Sequence, residues 1–547
     1  MKASQLNIAT LLDQVARENP KTPAVIVPWQ KRKISFQELH EDSNRLASGL
    51  IRIGIAKGDR VLLLVPFSIE FITLTFALLK AGAVAVLIDP GLGRKNMLQC
   101  IKQAQAKGMI AIPKAFAARK LFPKPFQDIE ISVTVGRRWF WGGNTLDQIR
   151  KLGAEDIPPA EINENDPAAI LFTSGSTGPS KGVLYTHSMF LHQVEVLRSS
   201  FGIQPGEIDL PTFPLFGLFD PLLGMICVLP EMDFTQPASV NPEKLIKLIK
   251  KFAITNSFGS PALWDTVSRH CIDQKITLPS IKRILMAGAP VPGTLIQRFD
   301  QILEDSAEIH TPYGATEALP VTSIERKTIL GETWGKTQQG LGLCVGHPVP
   351  GMQLKIIKIT DDSIPFWSPD LEQPAYEVGE VAVQSPWVTR KYFNPLSPAN
   401  ELAKIADGDN FWHRMGDLGW LDEQGRVWFC GRKSQRVITK SKTLYTIPCE
   451  AIFNQHPRVR RSALVGVGEQ GLQEPVMVIE PEDTKLTPDS KETKALMQEL
   501  LERGKQYPHT EEIKFFLIHP NFPVDIRHNA KIFREQLATW AEEKITE

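Results

Sequence analysis

The run Val61-Leu-Leu-Leu-Val65 is apolar at every position and stops at Pro66, and Ala83-Val-Ala-Val-Leu-Ile88 repeats the pattern before Asp89-Pro90. A helical stretch to Leu79 lies between them. A strand without a polar face cannot border water, so strand–helix–strand order with such strands calls for a parallel sheet covered on both faces. Upstream, Ser35 and Glu38 form a capping-box signature, and Phe36, Leu39, Leu46, Ala47 and Leu50 mark one helical face. The alternation returns with Ala168–Thr173 as strand, Ser188–Ser200 as helix and Ile281–Ala287 as strand. From about residue 340 short strand-like runs (Leu354–Ile359, Glu380–Gln384, Val427–Phe429) alternate with turns, as in a small β subdomain. Beyond Gly431 come strand-like Ser462–Val467, helical Lys491–Gly504 and strand-like Ile513–Ile518, a compact α+β unit. At 547 residues the chain exceeds one core, and we expect an α/β protein divided into 1–431, with parallel-rich sheets, and 432–547.

Composition removes several classes. Lys+Arg is 62 against Asp+Glu 61, so no global field attracts nucleic acid, and no such partner is expected. The six cysteines are scattered without a C-x-x-C pair and read as reduced, mostly buried thiols of a cytoplasmic protein. No zinc spacing occurs: His187 and His192 are five apart, and H-E-x-x-H is absent. The N-terminus lacks a signal-peptide core. The longest apolar stretch, Phe71–Ile88, is broken by Lys80 and Gly82, which favours a buried helix and strand over a transmembrane segment.

The segment Leu171-Phe-Thr-Ser-Gly-Ser-Thr-Gly-Pro-Ser-Lys-Gly182 places Thr173, Ser174, Ser176 and Thr177 around Gly175 and Gly178, directly after an apolar strand. Glycines let backbone N–H groups turn toward an anion, hydroxyls add donors, and Lys181 adds a fixed positive charge. The spacing is not that of a Walker A loop, because two residues separate Gly178 from Lys181.

This segment resembles the phosphate loop of the adenylate-forming superfamily of acyl-CoA synthetases, peptide-synthetase adenylation domains and luciferases. Further motifs follow in that superfamily's order. Met286-Ala-Gly288-Ala289-Pro290 resembles its adenine-side turn. Tyr313-Gly314-Ala315-Thr316-Glu317 resembles the segment whose ring packs on adenine, whose threonine bonds the α-phosphate and whose glutamate holds magnesium. Gly379-Glu380 matches the short strand motif, and Asp417 the aspartate on the ribose hydroxyls, with Arg432 beside it. Lys531 matches the mobile lysine of the small C-terminal domain, and Ser434 stands at the hinge. The resemblance implies ATP and Mg2+, the metal on Glu317. It also implies a clamp of Lys531, Thr316 and magnesium on the α-phosphate, with Lys181 holding the departing pyrophosphate.

Departures from the superfamily point to the second half-reaction. Ser441 stands where many relatives have a glycine lining the channel for a pantetheine arm, and the stretch to Glu450 is about two residues longer. In Phe213-Pro-Leu-Phe216-Gly217-Leu-Phe219-Asp220, Gly217 replaces a usual histidine, which we expect to leave room for an acid branched at its α-carbon. Asp220 reads either as a contact or base for a substrate hydroxyl or as a turn aspartate before Pro221. Phe213, Phe216 and Phe219 read either as an acyl-pocket wall or as core. Met415 replaces the usual Thr/Ser before Gly416-Asp417. These variants resemble one subfamily, the β-lactone synthetases of long-chain olefin biosynthesis. By that resemblance the substrate is a 2-alkyl-3-hydroxy lipid acid, and other olefin-pathway enzymes are candidate partners. A long-chain acyl-CoA or acyl-AMP ligase, and a nucleotide-binding scaffold without catalysis, are the alternatives.

Overall fold

The computed structural model describes residues 6–173, 181–393, 398–483, 486, 490–524 and 532–546. Ser174, Gly175, Ser176, Thr177, Gly178 and Lys531 therefore lie outside the described residues. Two seven-stranded sheets carry the first three hundred residues. One runs Asn144–Thr145, Ile131–Thr134, Gly108–Ala111, Arg60–Leu64, Val84–Ile88, Pro167–Thr173 and Lys181–Thr186, parallel except for its last pair. The other runs Glu308–His310, Arg283–Met286, Asn256–Gly259, Ile208–Asp209, Ile226–Val228, Pro23–Val27 and Arg32–Ser35, antiparallel only between its last two.

Sequence pattern and observed elements meet closely here. The helix Phe36–Arg52 begins at Ser35 with both capping-box bonds made. Each apolar run becomes an interior strand, because only a doubly covered sheet can hide both its faces. Helix Ile69–Lys80 is buried along its whole length between neighbours. Its closing Lys80 reaches Asp13 at 3.0 Å and Asn44 Oδ1 at 2.6 Å, satisfying the charge without water. Among the described residues no helix is long and apolar enough to cross a membrane. All six cysteines are free and buried.

A third, antiparallel sheet follows: Tyr313–Ala315, Ala318–Ser323, Leu343–Pro348, Val427–Arg432, Asn410–Leu421, Gly379–Gln384 and Gln353–Ile357, with Lys404–Asp407 paired beside Asn410–Leu421. The last part holds a three-stranded sheet, Val459–Val467, Glu474–Pro481 and Phe515–Ile518, with helices Lys491–Gly504 and Arg534–Thr546. At the entry to this part Gly431 has φ +127°, and a side chain there would run into the Thr446 hydroxyl.

Candidate active site

One cavity of about 1160 Å³ opens where the three larger sheets meet the C-terminal part. Antiparallel register sets its first polar group. Asp417 pairs with Arg432 across adjacent strands, and the guanidinium lies 2.8 Å from the carboxylate. The Tyr313 hydroxyl donates to the other carboxylate oxygen at 2.6 Å, and the Tyr313 ring lies 6.0 Å from that of Phe429. Burial pushes the Asp417 carboxyl up, and Arg432 pulls the other way. Burial, then Asp417, pushes the Tyr313 phenol well up. The result is a neutral ring beside an acceptor that already holds one cation, a surface suited to a planar base and a diol.

Ala287 to Pro290 follow strand Arg283–Met286 and, with Met286, line the same cavity, with Gly288 at φ +97°. Gly314, Ala315, Thr316 and Glu317 line it from the hairpin beginning at Tyr313. The Tyr392 hydroxyl donates to Glu317 Oε1 at 2.7 Å. The Tyr392 ring in turn receives the Lys181 ammonium at 5.1 Å and that of Lys404 at 6.0 Å. Lys404 also donates to Thr389 O, and Thr389 N–H to Glu317 O at 2.8 Å, so the loop and the hairpin hold each other. Burial pulls the Lys404 amine down to about 7, and Glu317 opposes it. Tyr185 donates to Thr316 O. Glu317 offers one carboxylate on the cavity lining, which fits Mg2+, an ion that takes one or two protein carboxylates and substrate phosphates; among the described residues no cluster of three ligands offers an all-protein metal cage.

Where Lys181 pairs with Thr173 across two strands, the loop between them lies outside the described residues, as does Lys531; its neighbours Ile532, Phe533 and Arg534 line the cavity. Ser434 lies on the turn Lys433–Gln435 at the rim. Ser441 is exposed, with its hydroxyl donating to Glu512, and does not line the cavity.

The apolar end is walled by Phe213, Phe216 and Phe219, with Phe216 stacked on Phe258 at 4.3 Å. The room expected at Gly217 is already taken: a Cβ there would stand 2.5 Å from the Phe67 ring and 3.1 Å from Pro211. Asp220 is fully buried behind Phe219 and is not among the lining residues. It faces Asp209 and Cys227, and burial pushes its carboxyl up to about 7.

Tyr392, Lys404 and Tyr185 carried no signal in the sequence. They are single residues in loops and strands, and only the fold brings them to Thr316 and Glu317.

A tyrosine ring beside a carboxylate–guanidinium pair, a second carboxylate near lysines and an apolar end wall share one cavity, a combination suited to a nucleotide and an apolar group. Residues 12–393 match the family model of the AMP-binding enzymes. The chain is 45% identical over 550 residues to an olefin β-lactone synthetase of Xanthomonas campestris, spanning 98% of this chain and 97% of that protein. It is 42% identical over 555 residues to the olefin β-lactone synthetase of Stenotrophomonas maltophilia, spanning 98% of each. The solved structure of an O-succinylbenzoate coenzyme A synthetase from Bacillus subtilis, in complex with ATP and magnesium ion, matches with a TM-score of 0.75 at 22% identity, covering 96% of this chain and 98% of that one. The chain belongs to the AMP-binding enzyme family and is an adenylate-forming enzyme.

Proposed function

We propose that the protein converts a long-chain 2-alkyl-3-hydroxy acid to a β-lactone, releasing AMP and pyrophosphate, in olefin biosynthesis. The observation that carries this reading is the likeness to olefin β-lactone synthetases along nearly the whole chain. A carboxylate oxygen attacks the α-phosphorus of ATP, and the bond to the departing pyrophosphate breaks. Tyr313, Gly288, Ala289 and Pro290 hold the adenine, and Asp417 with Arg432 the ribose. Thr173, Ser174, Gly175, Ser176, Thr177, Gly178 and Lys181 hold the leaving phosphates. Thr316 and Lys531 neutralise charge developing on the α-phosphate. Glu317, oriented by Tyr392, would hold a Mg2+ that shields the phosphate charge. Residues 432–547 act as a mobile unit that carries Lys531 to the site, turning at Ser434.

The 3-hydroxyl oxygen then bonds to the acyl carbon and the bond to the AMP phosphate breaks. That phosphate takes the hydroxyl proton, and Asp220, which does not line the cavity, takes no part. The nucleophile arrives tethered, and intramolecular attack reaches effective molarities of ~10⁵ M or more when geometry is right. That offsets part of the strain of the four-membered ring and makes a thiol arm unnecessary. The enzyme acts in the cytoplasm, beside olefin-pathway enzymes that make the acid and consume the lactone.

Mass spectrometry of products from ATP, Mg2+ and a 2-alkyl-3-hydroxy acid, with and without coenzyme A, tests this. Lactone and AMP are expected in equal amounts without coenzyme A. Thioester formed only with coenzyme A, and no lactone, would make the protein an acyl-CoA ligase.

A further inference from the structure

We propose that a basic, aromatic patch near the cavity docks the enzyme on a bilayer surface carrying anionic lipid headgroups. The proposal goes beyond the lactone reading and does not depend on it. The patch is built from the helix Pro113–Leu121, the exit of that helix and the loop 136–143. Phe116 on the helix is buried and stacks on Trp141 of the loop at 5.4 Å, and the Trp141 indole N–H donates to Thr134 Oγ1 at 3.0 Å. Trp139 and Phe140 lean on the same indole at 5.5 and 5.6 Å. Arg138 donates to Gly143 O, and Gly142 and Gly143 take the positive φ that turns the loop back. Trp141 is thus the root, and its two neighbours are held outward, Trp139 57% and Phe140 80% exposed. Leu121, 75% exposed, and Phe122 end the same helix.

Large apolar side chains held in water mark an interaction site, and the charges around them say what covers them. Between Gly108 and Gly143 the cations are Lys114, Arg119, Lys120, Lys124, Arg137 and Arg138, against only Asp128 and Glu130. A chain that is neutral as a whole has gathered positive charge here. Arg94 adds a guanidinium over the Phe122 ring at 5.6 Å. Aromatic tips ringed by Lys and Arg suit a membrane interface: the rings enter the boundary between headgroups and acyl chains, and the cations meet lipid phosphates. A protein partner fits less well, because lysine is depleted at such interfaces, whereas mobile headgroups arrange themselves around any set of cations. The position agrees. Helix Gly93–Ala104, which carries Arg94, starts at the active-site cavity, where Leu92 and Asn96 are part of the lining. Docking through the patch therefore brings the cavity within about one helical turn of the lipid surface.

Co-sedimentation of the full-length enzyme with vesicles, in the absence of substrate, tests this. Vesicles of phosphatidylcholine alone are compared with vesicles of equal parts phosphatidylcholine and phosphatidylglycerol. Binding is expected to the anionic vesicles, to weaken as salt rises, and to be several-fold lower on phosphatidylcholine alone. Lys124→Gln with Arg137→Gln should lower the partition coefficient about twenty-fivefold, at roughly fivefold per cation near the surface. Trp139→Ser with Phe140→Ser should lower it about tenfold or more. All four side chains are exposed and outside the catalytic machinery. ATP affinity, measured by calorimetry, is therefore expected to stay at the wild-type value in both variants and shows that they are folded. Equal sedimentation with the two vesicle types, none with either, or a folded variant that binds as well as the wild type would overturn the proposal. An enzyme that ignores vesicles but forms dimers, which Trp139→Ser with Phe140→Ser breaks, would overturn it too and make the patch a contact between two copies of the chain.

Discussion

Asp209 and Asp220 are two carboxyls enclosed together under the wall formed by Phe216 and Phe219. Asn256 donates to Asp209, Asp220 shares hydrogen bonds with Asp209 and the Cys227 thiol, and burial is the largest influence on each carboxyl. Asp220 is raised from 3.8 to about 7. The sign of its effect on stability follows. Below the lower value it is protonated in both states. Between the two values the unfolded chain loses its proton and the native chain keeps it, so stability falls as pH rises, and above about 7 the loss is complete. Asp220→Asn removes the titrating group while keeping the shape. Its melting temperature is expected to exceed the wild type by a few degrees at pH ~8, with the gap closing toward pH ~4. Parallel melting curves at every pH, followed by circular dichroism, would mean that the carboxyl ionises as freely in the native state as in the unfolded chain.

At the scale of elements, the helix Ile69–Lys80 shows what an interruption in an apolar run can mean. Lys80 ends a helix with no solvated face and ties three helices through Asp13, Asn44 and the carbonyl of His40. Removing one partner of a buried pair leaves an uncompensated charge, typically at a cost of about 3–5 kcal/mol. Asp13→Leu is therefore expected to lower the urea midpoint sharply, and Asp13→Leu with Lys80→Met to recover most of the loss. A double variant no better than the single would mean that the ion pair is not what holds these helices. The sequence already showed that this helix is buried, because a face-by-face pattern is local: apolar strands, the Ser35 box and the helix Lys491–Gly504 are each written within about a dozen residues. The same holds for Tyr313, Asp417 and Arg432, each named from a short motif and all found in one cavity. Tyr185, Tyr392 and Lys404 were not legible. Their partners are Thr316, Glu317 and Thr389, and nothing in a linear pattern says which loops the sheet order will bring together. Gly217 was misread for a related reason. Its missing side chain looked like empty space until Phe67, from a distant turn, was seen to fill it.

Among the described residues, polar contacts join the large N-terminal part to the C-terminal part. Lys433 reaches Glu380 at 3.0 Å, itself held by Arg414 at 2.7 Å, Arg436 pairs with Asp361, and Gln455 donates to Gln338 O at 2.6 Å. In this arrangement Ile532, Phe533 and Arg534 already border the cavity. If the acid carries its own nucleophile, no rotation is needed between adenylation and ring closure, whereas entry of ATP and exit of AMP still require the cleft to open. Gln338→Cys with Gln455→Cys, joined by a short reducible bis-thiosulfonate, holds the two bodies as seen; the six native thiols are buried and out of reach of the reagent. With ATP and acid bound before clamping, one equivalent of lactone is expected to form in a single turnover. Steady-state turnover should drop at least tenfold and return on reduction, consistent with a gated cycle. Pyrophosphate released without lactone from the clamped enzyme would instead require a second domain position for ring closure, as thiol delivery does in coenzyme A ligases.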